Sequence, residues 1–169
     1  MKRTVTVLAA LAVIIGTPLA RAEAQGVGFG LGGTGVFNLG SGSYSALGAI
    51  GLVEFGGNAR SPIHFRVDGT IAHGDGATFE LVTADVVYAP HTPTSELHPY
   101  GVLGGGIQHG AGNTSPMAKA GVGFDYHLFK RNHGTVLFGE GTFNLVFAGN
   151  GNGTDKQLQL NLGLKFGAS

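Results

Sequence analysis

From residue 26 onward, apolar and polar side chains take turns along the chain. They do so in stretches of roughly 11 residues bounded by Gly, Asn, Ser, Asp or Pro, the period of strands with two unlike faces. The last stretch is the clearest: Leu158, Leu160, Leu162, Leu164 and Phe166 alternate with Gln157, Gln159, Asn161, Gly163 and Lys165. Over 63–71, Ile63, Phe65, Val67 and Ile71 share one face, and His64, Arg66, Asp68 and Thr70 share the other. Between 118 and 128, Val122, Phe124, Tyr126 and Leu128 oppose Lys119, Asp125 and His127. In the next stretch Leu137, Phe143, Leu145 and Phe147 oppose Glu140, Thr142 and Asn144. Less regular strands are predicted at 26–37, 44–55, 78–89 and 99–108. No segment carries a convincing helical period.

These stretches predict eight strands, joined at 38–43, 56–61, 74–77, 90–98, 109–115, 129–134 and 148–155. Connections this short favour antiparallel hairpins over helical crossovers. Eight strands of ~11 residues use about 88 positions, which leaves enough chain for the turns and none for a second domain.

Residues 1–24 have a different pattern. Lys2 and Arg3 precede an apolar run from Val5 to Ile15, Gly16 and Pro18 break it, and Ala22-Glu23-Ala24 supplies small residues for cleavage. The run is short of the ~20 residues a spanning helix needs. It predicts a signal peptide over 1–24, cut before Gln25, with a single domain over 25–169. The chain has no cysteine, so an exported domain here has neither disulfide nor lipid-modified cysteine.

Composition sharpens this picture. Glycine supplies 32 of 169 residues and charged residues 12%, against typical values near ~7% and ~25%. Glycine at that level opposes long helices and is tolerated in a tightly curved sheet. A hydrophobic content of 43% opposes disorder, and a formal charge of zero opposes a nucleic-acid partner. After cleavage 7 Lys or Arg and 9 Asp or Glu remain, once Lys2, Arg3, Arg21 and Glu23 are removed. That is too few for the skin of a water-soluble barrel. An apolar face turned to lipid needs no such skin. Aromatic residues mark two ends. Phe55, Tyr88, Tyr100, Tyr126 and Phe166 are expected in one interfacial girdle, and Phe37, Tyr44, Phe79 and Phe147 in the other.

The final strand, Leu158-x-Leu160-x-Leu162-x-Leu164-x-Phe166, resembles the β-signal of outer-membrane proteins, although Gly167-Ala168-Ser169 follow the aromatic. Residues 99–106 (Pro-Tyr-Gly-Val-Leu-Gly-Gly-Gly) are similar to a Pro-Tyr…Gly-x-Gly strand of small outer-membrane barrels. Over nearly the whole mature chain, the pattern resembles the eight-stranded OmpA/OmpX-like barrel domains of Gram-negative bacteria. The resemblance implies an all-β, eight-stranded antiparallel up-and-down transmembrane β-barrel in the cell outer membrane. It also implies outer-membrane lipid as surroundings, the barrel-assembly machinery as the partner reading the C-terminal strand, and a structural or porin-like monomer. Its motifs specify architecture rather than activity.

A polar lumen of that size must be filled by mutually paired side chains. The candidates are Arg66, Asp68, Asp85, Lys119, Asp125, Glu140 and Lys165, all on or near polar faces. The same groups could instead line a gated passage. Gly28-Phe29-Gly30-Leu31-Gly32-Gly33 matches a dinucleotide fingerprint but lies within a strand and opens no helix, so no cofactor is expected. The seven histidines show no metal-ligand spacing, so no metal is expected. His64 and His127 have lumen parity. No His-x-Ser of the lipid A deacylase kind occurs, so the chain is not expected to be an enzyme. The alternatives are a secreted soluble lipocalin-like carrier and a lipid-A-modifying barrel enzyme.

Overall fold

The computed structural model describes residues 26–40, 44–56, 61–90, 96–110, 112–128, 135–147 and 153–167. Eight strands run in chain order: β1 (Val27–Asn38), β2 (Ser45–Phe55), β3 (Ile63–Gly74), β4 (Ala77–Tyr88), β5 (Leu97–Gly110), β6 (Asn113–His127), β7 (Thr135–Phe147) and β8 (Thr154–Phe166). Each pairs antiparallel with the next, and β8 pairs back onto β1, so the sheet is a closed barrel with no free edge. The residues proposed for the signal peptide lie outside those described.

Closure is staggered. The ladder row that begins at Gly28 runs through Glu54, Arg66, Asp85, Gly104, Lys119, Asn144 and Gln157 and re-enters β1 at Asn38, ten residues further along than Gly28. A stagger of that size around eight strands tilts them by roughly 40° to the barrel axis. It also makes each row climb as it circles the barrel.

Most strand assignments hold to within a few residues, but the strands at one end are longer than the alternation suggested. Residues 109, 110 and 113–115, expected in a connection, lie in β5 and β6. Likewise β3 and β4 leave only Asp75 and Gly76 between them, at φ 50° and 76°. Positive φ at both positions is the two-residue hairpin geometry for which Asp-Gly is well suited. Gly, Asn and Thr read as loop composition, yet ladder hydrogen bonds involve only the backbone and continue through them. Prolines fit where a ladder stops. Pro99 lies before the β4–β5 pairing begins and Pro116 beyond the β6–β7 pairing, so neither missing N–H leaves a ladder gap.

Glycines let strongly curved strands approach one another. A Cβ on Gly106 would run into the backbone of Val82 and Thr83, whereas on Gly101 of the same strand the nearest atom is the Gly121 carbonyl oxygen at 4.0 Å. Gly106→Ala is therefore expected to cost about 1–3 kcal/mol through forced strand displacement. Gly101→Ala should stay within about 0.5 kcal/mol. Chemical unfolding of the two variants in detergent, followed by far-UV circular dichroism, checks the contrast.

The outer wall is apolar. Leu103 and Val122 are 68% and 70% exposed, and Leu31, Leu47, Phe65 and Leu162 are exposed on neighbouring strands. Phe29, Phe55, Phe65, Tyr88, Phe124, Tyr126 and Phe166 ring the end where β2 meets β3 and β8 finishes. Along β8 the outward face stays apolar from Phe166 to Leu158 and first turns charged at Lys156. The eight residue steps from Phe166 to Leu158, at ~3.3 Å each and tilted by roughly 40°, span about 20 Å along the axis. Among the described residues, the outward-facing charge that comes nearest to the middle of this wall is Glu80 on β4, opposite Ile71.

Candidate functional site

The barrel interior is filled by side chains from all eight strands. Arg66 is at its centre, 1% exposed. Its Nη1 lies 2.7 Å from Glu140 Oε2 and its Nη2 donates to Glu140 Oε1 at 3.0 Å, a two-pronged pairing across the lumen. Its Nε is 2.8 Å from Asp68 Oδ1, and Nη2 also reaches Asp85 Oδ2 at 3.4 Å. The Lys119 ammonium bridges Asp68 and Asp85, at 2.6 Å from the latter, and donates to Thr83 Oγ1 at 3.1 Å. Nearer the aromatic ring, Lys165 lies 2.9 Å from both Glu54 and Asp125, with its ammonium 4.8 Å above the Tyr100 ring. Tyr100 donates its hydroxyl proton to Glu140 Oε2 at 3.1 Å.

The structure places Arg66, Asp68, Asp85, Lys119, Asp125, Glu140 and Lys165 on the inner side of the sheet and joins them, with Glu54, in one network of ion pairs. Sequence reasoning missed Glu54, whose neighbours Val53 and Phe55 gave its polar parity away. It also missed an uncharged layer above the charges. In that layer Asn161 donates to Glu140 and accepts from Thr34, Gln159 donates to Thr34 and Thr70, and Asn144 donates to Gln159. The closed sheet explains why these groups converge. Glu54, Arg66, Asp85 and Lys119 all lie on the one climbing ladder row traced above, so cation and anion alternate along it with Gly104 as the spacer. A Cβ at Gly104 would collide with the Asp85 carboxylate, so glycine there makes room for the acid.

Three aromatic assignments are corrected. Tyr100, expected in the girdle, is buried inside the barrel. Phe79 also turns inward: it packs against Val36, Ala46 and Ala72 on one side and Leu81, Met117 and Val146 on the other. Tyr44 stacks on Phe79 at 4.9 Å and accepts a hydrogen bond from Gln157. The physical reason is that β4 and β5 carry apolar side chains on both parities, so alternation there gave no face. Inside, these residues form an apolar layer across the end of the lumen that carries the Asp75-Gly76 turn. At the other end His64 and His127 are half-buried and have the expected inward parity; His127 meets the His98 ring edge-on at 5.1 Å. The five apolar residues expected to form a C-terminal strand signal, Leu158, Leu160, Leu162, Leu164 and Phe166, all lie on the outward parity of β8.

This combination of apolar wall, aromatic ring and ion-paired interior is the architecture of the small eight-stranded barrels of outer membranes. Solved structures agree. Neisserial surface protein A superposes with a TM-score of 0.71 at 16% identity, over 83% of this chain and 96% of that one. The N-terminal β-barrel domain of Pseudomonas aeruginosa OprF gives 0.54 at 16% identity, over 84% and 98%. The outer membrane protein OprG from Pseudomonas aeruginosa gives 0.53 at 12% identity, over 84% and 96%. No protein-family model and no curated protein sequence matches the chain. The chain thus has the up-and-down fold of the small outer-membrane β-barrels.

Proposed function

We propose that this chain is an integral barrel of a Gram-negative outer membrane, a monomeric, non-catalytic wall element whose lumen is filled rather than open. The observation that carries the reading is the inversion of charge. The wall facing outward is apolar over about 20 Å, close to the height of a membrane barrel's lipid-facing band. Meanwhile Glu54, Arg66, Asp68, Asp85, Lys119, Asp125, Glu140 and Lys165 lie inside, half of the sixteen charges expected after cleavage. Residues 1–24 act as the export signal. The outward Leu-x-Leu-x-Leu-x-Leu-x-Phe face of β8 is what the assembly machinery reads, and outer-membrane lipid surrounds the rest. With its N-terminus in the periplasm, the Asp75-Gly76 turn and the β5–β6 connection face the outside.

Fractionation of Gram-negative cells expressing the full chain tests this. The protein is expected in the detergent-extractable outer membrane, beginning at Gln25 and migrating faster in gels before boiling than after. Recovery as a soluble periplasmic or secreted protein would reject the reading in favour of a carrier. In planar bilayers the wild-type barrel is expected to show no unitary conductance, because charged pairs and the Phe79 layer occupy the lumen. Current steps that change in size on Glu140→Gln would show an open passage and overturn the filled-lumen reading.

A further inference from the structure

Two neighbouring hairpins carry one six-residue pattern, His-Gly-x-Gly-x-Thr, at 73–78 and again at 109–114. The turns account for its glycines. Gly76 and Gly112 have φ of 76° and 80°, a Cβ on Gly74 would strike the backbone of Ser45 and Ala46, and one on Gly110 would lie 2.7 Å from the Phe79 ring. The turns do not account for the histidine and the threonine, since no tight-turn or ladder geometry demands them. Even so, both hairpins set them face to face. His73 is laddered to Thr78 and His109 to Thr114, with Nδ1 to Oγ1 distances of 3.0 and 2.8 Å.

Both pairs are exposed on the outer wall, two residues beyond Ile71 and Ile107, where the apolar face of β3 and β5 ends. In a membrane that is the depth of the lipid headgroups. Each pair has a donor left over whichever ring nitrogen carries the proton. If Nδ1 accepts the threonine O–H, Nε2–H is free to donate. If Nδ1–H donates to the threonine, the threonine O–H is free instead. Between the pairs, on β4, is Glu80, laddered directly to His109 and diagonal to His73, one step closer to the apolar band. Leu47 on β2 is opposite His73, and Asp75 is at the tip of the first turn. The rim therefore offers two donors for an anionic oxygen, with a carboxylate acceptor between them.

We propose that this rim binds a lipid headgroup in which a phosphate adjoins an ammonium or hydroxyl group. The His73–Thr78 and His109–Thr114 pairs take the phosphate oxygens, and Glu80 takes the neighbouring N–H or O–H. The assignment rests on the membrane reading above.

The test uses the folded barrel in nanodiscs of phosphatidylethanolamine or phosphatidylcholine with matched acyl chains. These lipids share the phosphate and differ in the N–H donor. Retained lipid is counted by native mass spectrometry after detergent transfer. Wild type is expected to keep phosphatidylethanolamine over phosphatidylcholine by about fivefold, the worth of one hydrogen bond of ~1 kcal/mol. His73→Ala with His109→Ala should lower retention of both lipids by at least that factor. Glu80→Leu, which removes the acceptor, should abolish the preference for phosphatidylethanolamine, and His64→Ala at the opposite end should change nothing. Retention unaffected by the double histidine variant would overturn the proposal, as would displacement of the lipid by millimolar inorganic phosphate. Failure of the wild type to insert into either nanodisc, seen as unshifted gel mobility, would reject the membrane reading itself. Insertion without lipid selectivity would reject the rim alone.

Discussion

Arg66→Met is expected to destabilise the barrel by about 3–5 kcal/mol, the typical cost of removing one partner from a buried ion pair. Arg66 approaches Glu54, Asp68, Asp85 and Glu140, and its loss leaves five lumen carboxylates facing two lysines. Lysine is not an equivalent replacement, because a single ammonium cannot reproduce the two-pronged contact with Glu140 or reach three further acids. Arg66→Lys should therefore recover only part of the loss. Adding Glu140→Gln to Arg66→Met should restore more, since it removes one of the stranded charges. The chain contains no Trp, so urea unfolding in detergent is followed by far-UV circular dichroism and gel mobility. A fall in stability of less than 1 kcal/mol in Arg66→Met would mean that water, rather than Arg66, neutralises these acids.

Leu103→Arg gives the other large effect and tests the outer wall directly. Leu103 is 68% exposed midway along β5. On a protein surrounded by water, an exposed leucine can become arginine within about 0.5 kcal/mol. At the middle of a lipid-facing band the same change costs about 2–4 kcal/mol. Unfolding in lipid vesicles is expected to show the larger figure, and Thr114→Arg at the rim should show little or none. Equal, small effects at the two positions would place the wall in water.

The residues themselves show why some of this was legible in the sequence. In β3 and β8 one face is uniformly apolar and the other polar, so Phe65 against Arg66, or Leu164 against Lys165, fixed strand, face and lumen at once. Charged residues were easy to assign because each stands on the parity opposite an apolar face. Interior aromatic residues were not. Phe79, Tyr100 and Phe138 are as apolar as the wall, and only the closed geometry shows that Gly123 leaves space for the Tyr100 ring and Gly163 for Phe138. The true length of β5 and β6 was hidden for a related reason. Past Ile107 the outward face is no longer apolar, so the alternation that marks a strand disappears while the ladder continues to Gly110.

Those interior charges also bear on how the chain folds. Glu54 is on β2 and its partner Lys165 on β8, 111 residues apart, and Arg66 meets Glu140 across 74. None of these pairs can form before β8 meets β1, because until then the sheet is open and its concave side is wet. Neutralisation of Glu54 and Glu140, expulsion of water and closure of the ring are therefore one event, placed at the end of assembly. A barrel so organised should acquire its strands early and its resistance to denaturant late. Its folding rate should respond more to changes at the β1–β8 seam than to equally costly changes in any hairpin.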